Sequence, residues 1–309
     1  MGASGPAPAR SFLEQLIACG LLVPSGVPGV FGRGVIFERI RNAVDAAIST
    51  AAVPDGAERM AFPPVMPRRE LERIGYLESF PHLAGSIFSF DGDERAAVEL
   101  GRRASAHGDW SEFQHQTDVV LVPAACYPVY PVIGARGRLG PLGATVDLGG
   151  SYVFRHEPSA DPARMQMFHQ REMVRFGDAT SVAAWRDTWS KRALAFAQGL
   201  GLDARLEVAS DPFFGRTGRV LARSQREQAL KFEVSVPIDG SEPTAIASFN
   251  YHRDHFSSIY DIQQIDGSRA ETACLGFGLE RIALALLRAH GLDPTEWPSV
   301  VRAELGLGS

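Results

Sequence analysis

Residues Ala273–Gly291 read ACLGFGLERIALALLRAHG. From Leu275 to Leu287 almost every side chain is apolar, and no face stands out as the wet one. A helix that is apolar all round belongs inside a core, so the run predicts a buried helix with Glu280 and Arg281 near its start. A guanidinium there, directly after Gly276-Phe277-Gly278, needs a partner, because an unpaired buried charge costs several kcal/mol. Two kinds of partner are open: Glu280 or another internal carboxylate, or an anionic ligand that the sequence does not contain.

The 309 residues are 45% hydrophobic and 22% charged, a globular balance that allows one large domain or two smaller ones. A formal net charge of -5 argues against a chain whose main work is to grip RNA or DNA, since such chains are usually basic. The three cysteines, Cys19, Cys126 and Cys274, are odd in number and form no CxxC. A disulfide framework is therefore not expected, and a reducing cytoplasm fits. The N-terminal MGASGPAPARSFLEQL lacks the apolar core of a signal peptide, and Pro6 breaks the myristoylation pattern. The most apolar window, LIACGLLVPSGVPGVF, is cut by Gly and Pro and is too short to span a bilayer, so no membrane partner is expected.

Working outward, SFLEQLIACGLL reads as a helix capped by Ser11, and GVIFERIRNAVDAAIST as a second, amphipathic one. RAAVELGRRASAHGDWSEF and TSVAAWRDTWSKRALAFAQGLG read as helices too, the latter stopped by glycine. DVVLVPAACYPVYPVIG begins as a strand. The glycine-rich GARGRLGPLGATVDLGG reads as a loop, and SYVFRHE as the strand after it. REMVRFG, LKFEVSVPI, AIASFNYHR and SSIYDIQQI read as further strands, with a basic helix in GRTGRVLARSQREQALK. Strands that follow one another without a helix after each predict an α+β fold with an antiparallel sheet flanked by helices.

Several of these stretches, in this order, resemble one family. SYVFRHE is similar to the motif 2 strand of class II aminoacyl-tRNA synthetases, with its Arg-x-Glu, and RMQMFHQREMV to the continuation after the motif 2 loop. GFGLERIALALL resembles motif 3, and FPPVMPRRELERIGYLESFP the motif 1 region with its proline, a dimer-interface element in that family. ASDPFFG, LKFEVSVPI and IASFNYHRDHF resemble the seryl-tRNA synthetase stretch between motifs 2 and 3. The likeness runs from about Phe62 to Leu287; each piece alone is weak, and their order is specific.

The resemblance implies ATP as a substrate, with Mg²⁺. Activation joins an amino-acid carboxylate to the α-phosphate and expels pyrophosphate, so the protein must align the reactants and neutralise charge. Arginine suits both tasks through its permanent charge and bidentate fork. By resemblance, Arg155 meets the α-phosphate and Arg281 the γ-phosphate. Phe168 stacks on adenine, Glu157 faces the adenine or the activated product, and Glu233 helps hold Mg²⁺. Ser248 and Asn250 fall on the substrate side. On this reading the partner of Arg281 is a polyphosphate.

The atypical seryl enzymes of methanogenic archaea carry Cys, Glu and Cys at three places that here read Cys126, Glu172 and Cys274. The resemblance implies that these three hold zinc, with Glu172 also beside the substrate. Two thiolates and a carboxylate leave a fourth tetrahedral position open, which a substrate amine can fill. His252-Arg253-Asp254-His255 is a tempting metal cluster, but reads better as a strand end with solvated or hydrogen-bonded side chains. Cys19, in an apolar helix, reads as structural.

Only about 60 residues precede the motif 1 region, where seryl-tRNA synthetases carry a large tRNA-gripping domain. Residues 1–309 therefore read as a single catalytic domain, with 1–60 a helical N-terminal extension and about 203–231 an inserted helical segment. With the acidic balance, transfer to tRNA is not expected. In this the chain resembles amino acid:[carrier protein] ligases, which load a small amino acid, often glycine or alanine, onto the phosphopantetheine thiol of a carrier protein. A basic face built from Arg216, Arg219, Arg223, Arg226 and Lys231 would suit an acidic carrier. The alternatives are a minimal seryl-tRNA synthetase-like enzyme and a catalytically silent paralogue that binds nucleotide or amino acid.

Overall fold

A computed structural model describes residues 10–239 and 242–308, apart from the side chains of Arg216 and Thr217. In chain order, α1 (Phe12–Ala18), β1 (Leu22–Pro24), β2 (Phe31–Arg33) and α2 (Val35–Ala52) come first. Ser11 caps α1 in a reciprocal capping box with Glu14. Cys19, expected inside this helix, is instead its C-cap and is exposed. In α2, Phe37, Ile40, Val44 and Ile48 recur at helical spacing and are buried, each contributing about 1.5–3 kcal/mol.

Next come β3 (Glu58–Arg59), β4 (Val65–Pro67), α3 (Arg68–Arg73), α4 (Tyr76–Ser79), β5 (Ser86–Phe90), α5 (Glu94–Ser105), β6 (Gln114–Leu121) and α6 (Val129–Ala135). The β4, β5 and β6 strands form a separate small sheet. Residues 10–60 are thus helical only in part, with β1 pairing β2 and β3 joining the main sheet.

The main sheet is completed by β7 (Ala144–Phe154), β8 (Met167–Gly177), β9 (Arg205–Val208), β10 (Lys231–Val236), β11 (Thr244–Arg253) and β12 (Glu271–Gly278). Among them lie α7 (Ala179–Gly199), α8 (Gly215–Glu227) and α9 (His255–Tyr260); α10 (Leu279–His290) and α11 (Ser299–Glu304) follow. Among the described residues the sheet has seven strands in the order β3-β7-β8-β12-β11-β10-β9. Every pairing is antiparallel except β3 with β7. The α+β fold expected from the succession of strands is the one found.

Several local readings change. The helices read over 11–22 and 95–113 end early, at Ala18 and Ser105. Ala273–Gly278 is the end of strand β12, and the helix starts only at Leu279. A short apolar run cannot by itself tell a buried strand from a buried helix. Residues 144–150 are strand rather than loop. Their glycines serve a register shift between Asp147 and Gly150, where Gly149 takes φ +58°. The expected strand at Ser257–Ile265 begins as α9, whose Phe256, Ser257 and Tyr260 are buried at helical spacing. Finally, residues 203–231 are not helical throughout, because Arg205–Val208 form the edge strand β9.

Two cores flank the sheet. Met173, Phe249, Leu275 and Phe277 point to one face and are covered by α2, α7 and α10. The α10 helix is buried from Ile282 to Leu287, as its all-round apolar sequence requires. On the other face, Val174, Phe176 and Cys274 pack with residues of α6 and α9. The α6–α9 approach needs Gly134, where a Cβ would lie 2.4 Å from the Tyr260 carbonyl oxygen. No helix among the described residues is long and apolar enough to cross a membrane.

Candidate active site

Alternation along the strands decides which side chains meet. Glu172 is opposite Gly276, Gly276 opposite Ser248, and Ser248 opposite Glu233; Asn250 is opposite both Cys274 and Lys231. Directly opposed residues share a face. One face of the sheet therefore carries Phe168, Glu172, Glu233, Ser248, Asn250 and Cys274, six residues that the sequence scatters over more than a hundred positions.

Arg155 follows the end of β7. Its Nε donates to the Pro123 carbonyl at 3.1 Å, and its guanidinium carbon lies 5.6 Å from the Phe168 ring centroid. Arg281 enters from the first turn of α10. Its Nε and one Nη donate to the carbonyls of Ala163 and Ala245, each at 2.9 Å. Burial first, and then the nearby Arg155 charge, lower its pKa, while Glu157 and Glu233 act in the other direction. Arg155, Glu157, Glu233 and Arg281 thus share one neighbourhood.

Glu280 is not the partner of Arg281. It accepts from the His169 backbone N–H at 2.8 Å, contacts His169 Nδ1 at 2.7 Å, and has an Arg33 Nη at 3.2 Å. Arg33 and His169 belong to the opposite side of the helix entry, where the Tyr152 ring lies tilted against His169 with centroids 3.8 Å apart. Arg281 keeps neutral carbonyls as its hydrogen-bond partners.

At the far end of the face, Cys126, Glu172 and Cys274 are buried with their ligand atoms all within 4.8 Å of one another. Among the described residues this is the cluster with metal-binding composition. A tetrahedral ion with Zn–S near 2.3 Å separates its ligand atoms by about 3.5–4 Å, inside that limit. The Cys126 backbone N–H orients the Glu172 carboxylate at 2.7 Å. Burial pushes the Cys126 thiol well up, with Cys274 and Glu172 adding to it, and burial also raises Glu172. Two buried thiols and a carboxylate this close together favour their protonated forms unless a bound cation stabilises the thiolates and their protons pass to solvent, so the donor set fits a zinc-type ion. Asn250 donates to Cys274 Sγ at 3.7 Å, and its Oδ1 is buried with no partner in the protein.

Lys231 was expected on a basic surface helix. It is instead the first residue of β10, buried, with its ammonium 2.7 Å from Asp211 and 2.8 Å from Glu233. Alternation already puts Lys231 and Glu233 on one face of a strand, a signal that the basic run concealed. Of the HRDH stretch, His255 is exposed and His252 is half-buried and hydrogen-bonded, at the strand end expected. Burial, with His255 next, holds His252 down to about 3. Arg219, Arg223 and Arg226 are exposed on α8; the Arg216 side chain lies outside the described residues.

No protein-family model matches the chain. It is 45% identical over 305 residues to amino acid–[acyl-carrier-protein] ligase 2 of Bradyrhizobium diazoefficiens, covering 98% of this chain and 90% of that one. Ligase 1 of the same organism is 44% identical over 91% of this chain and 86% of its own length. The type-2 serine–tRNA ligase of Methanopyrus kandleri is 26% identical, and the matched region covers 80% of this chain and half of that enzyme. Its crystal structure with a tRNA superposes with a TM-score of 0.82 at 21% identity, over 98% of this chain and 62% of that one. The fold is therefore that of the class II synthetase catalytic core, and the chain belongs to the amino acid–[acyl-carrier-protein] ligase family.

Proposed function

We propose that this protein activates a small amino acid, glycine or alanine by resemblance, with ATP, and transfers it to the phosphopantetheine thiol of a carrier protein. The observation that carries the reading is Arg281: a guanidinium in the site whose hydrogen bonds go to neutral carbonyls while the adjacent Glu280 is engaged elsewhere. Its charge is left for an anion, and a polyphosphate supplies one.

In the first step a carboxylate oxygen of the amino acid attacks the α-phosphorus, the bond to the bridging oxygen breaks, and pyrophosphate leaves. Arg155 is proposed at the α-phosphate and Arg281 at the γ-phosphate, where fixed guanidiniums neutralise charge without reorganising. Phe168 lies under Arg155 and offers its ring to the adenine. Glu157 faces the adenine or the product. Glu233 is proposed as the carboxylate toward Mg²⁺, which requires Lys231 to yield one of the two carboxylates it now holds. In the second step the carrier's sulfur attacks the acyl carbon, the thiol proton passes to solvent, and the acyl C–O bond breaks so that AMP leaves with the anhydride oxygen.

Cys126, Glu172 and Cys274 are proposed to hold zinc, which when bound holds the substrate amino group. Ser248 and the unpartnered Oδ1 of Asn250 face the same space and are proposed to contact the amino acid. The exposed arginines of α8 are proposed to meet an acidic carrier, and a homodimer is proposed through the motif 1 region. The deciding experiment is amino-acid-dependent ATP–pyrophosphate exchange across the standard amino acids, followed by acceptor assays. Exchange with no carrier loading but efficient tRNA charging would reject the acceptor. No exchange with any amino acid would reject the activity and favour a silent binding paralogue.

A further inference from the structure

We infer that His252 is a positioning residue for the Cys274 sulfur, held in one ring tautomer by Thr272. The inference rests on the metal reading of Cys126, Glu172 and Cys274. The β11–β12 register shifts between Tyr251 and Arg253, so His252 occupies a bulge, and Arg253 beyond it takes φ +54°. Bulges re-aim side chains. This one turns the imidazole toward β12, with Nε2 3.4 Å from Cys274 Sγ and Nδ1 3.1 Å from Thr272 Oγ1.

The proton positions follow from the partners. A metal-bound thiolate has no proton to give and can only accept, so Nε2 carries the hydrogen. In the neutral ring Nδ1 then accepts, and the Thr272 hydroxyl donates to it, with the Tyr130 hydroxyl second at 3.5 Å. Thr272 is fully buried. Phe256 stands edge-on to the ring at 4.9 Å and stacks on Tyr130 at 3.9 Å, so aromatic rings flank one side of the half-buried imidazole. His252 stays outside the group of ligand atoms that lie within 4.8 Å of one another. It therefore acts on the sulfur and leaves the fourth position on the ion to substrate. With Asn250 donating to the same sulfur, Cys274 receives two hydrogen bonds that fix its direction and draw electron density from it. Outer partners of this kind typically change metal affinity about 10–100-fold.

The test uses the full chain stripped of metal and reloaded with zinc or cobalt(II). Chelator competition reads affinity, and the sulfur-to-cobalt charge-transfer band reads the electronic state of the thiolates. His252→Leu should weaken zinc binding about tenfold or more and shift the band. Thr272→Val, nearly the same volume, should shift the band in the same direction by less, and His252→Gln, which restores a donor, should lie nearer the parent. Parent-like affinity and an unshifted band in both His252→Leu and Thr272→Val would overturn the inference. If His252→Leu does not fold, an unshifted Thr272→Val band overturns it alone. A parent that takes up neither metal would overturn the metal reading, and this inference with it; metal uptake with unaltered variants would overturn only the inference.

Discussion

Glu280 and Arg281 are neighbours in the chain and do not pair: Glu280 closes on His169 at 2.7 Å, while Arg281 reaches past it to the carbonyls of Ala163 and Ala245. One residue ties α10 to β8, and the next is left with a charge to use. Arg281→Ala should therefore lower pyrophosphate exchange about 10²–10³-fold, the usual worth of one preorganised donor. Its melting temperature should fall only modestly, because Glu280 keeps both of its partners while the carbonyls of Ala163 and Ala245 each lose a donor, at about 0.5–1.5 kcal/mol per bond. Parent-like exchange would remove Arg281 from the site.

Glu280→Ala should behave in the opposite way. It leaves the side chains of Arg33 and His169, both largely buried, without their shared carboxylate. Arg33 keeps Glu38, so the loss is that of the buried hydrogen bonds to His169 and of one of the two ion pairs of Arg33, about 1–3 kcal/mol, and denaturant unfolding should show it. A variant as stable as the parent would mean that the tie carries no stability.

How far the sequence reaches is visible in the same region. The amphipathic α2 and the antiparallel succession of strands follow from local periodicity, and the two arginines and the Cys-Glu-Cys trio from resemblance. The strand at Ala273–Gly278 reads as helix in sequence because apolar residues on both faces erase the period that separates the two. The Lys231–Asp211 pair is not legible in sequence, because Asp211 lies in a loop and the pairing exists only once β10 is in the sheet. His252 needed the bulge, and a bulge is a property of two strands in register. Distant partners are fixed by register, and register is not written in any one segment.

The Lys231–Asp211 pair makes stability depend on pH. Despite its burial, Asp211 has its pKa held below the ordinary 3.8 by Lys231, and Lys231 is correspondingly raised above 10.5. The carboxylate's contribution is full above the ordinary value and is lost as pH falls through the lowered one; the ammonium's is full below its ordinary value and lost as pH rises through the raised one. Asp211→Asn should cost stability at neutral pH, and its deficit against the parent should shrink below about pH 4. Denaturant midpoints across the acid range measure this. A deficit constant with pH would deny the pair that role.

Zinc is expected at about one ion per chain, as a four-coordinate site with three protein ligands requires. Cys126→Ser and Cys274→Ser should each lose it on metal analysis, and chelation of the parent should abolish exchange until zinc is restored. Both serine variants retaining one zinc per chain would refute the assignment.

An aminoacyl adenylate reacts with many nucleophiles, so docking rather than chemistry selects the thiol. On α8, Arg219, Arg223 and Arg226 are exposed at helical spacing, with Val220 also exposed among them. Arg223 is 2.7 Å from Glu227 in an open i, i+4 pair, which a docking partner can displace at little cost. Lys231 drops out of this face because it is buried in β10 against Asp211 and Glu233. The Arg226 Nε is bound to Ser210 at 2.9 Å, which leaves Arg219 and Arg223 as the pair to reverse. Arg219→Glu with Arg223→Glu should slow carrier loading, more at low salt than at high, because rim charges act mainly on the encounter rate. Pyrophosphate exchange should be unchanged, since neither residue is in the proposed activation site. Equal loading at both salt concentrations would discard α8 as the docking face and leave activation untouched. Slowed exchange would mean instead that the reversal had disturbed β10, and with it Glu233.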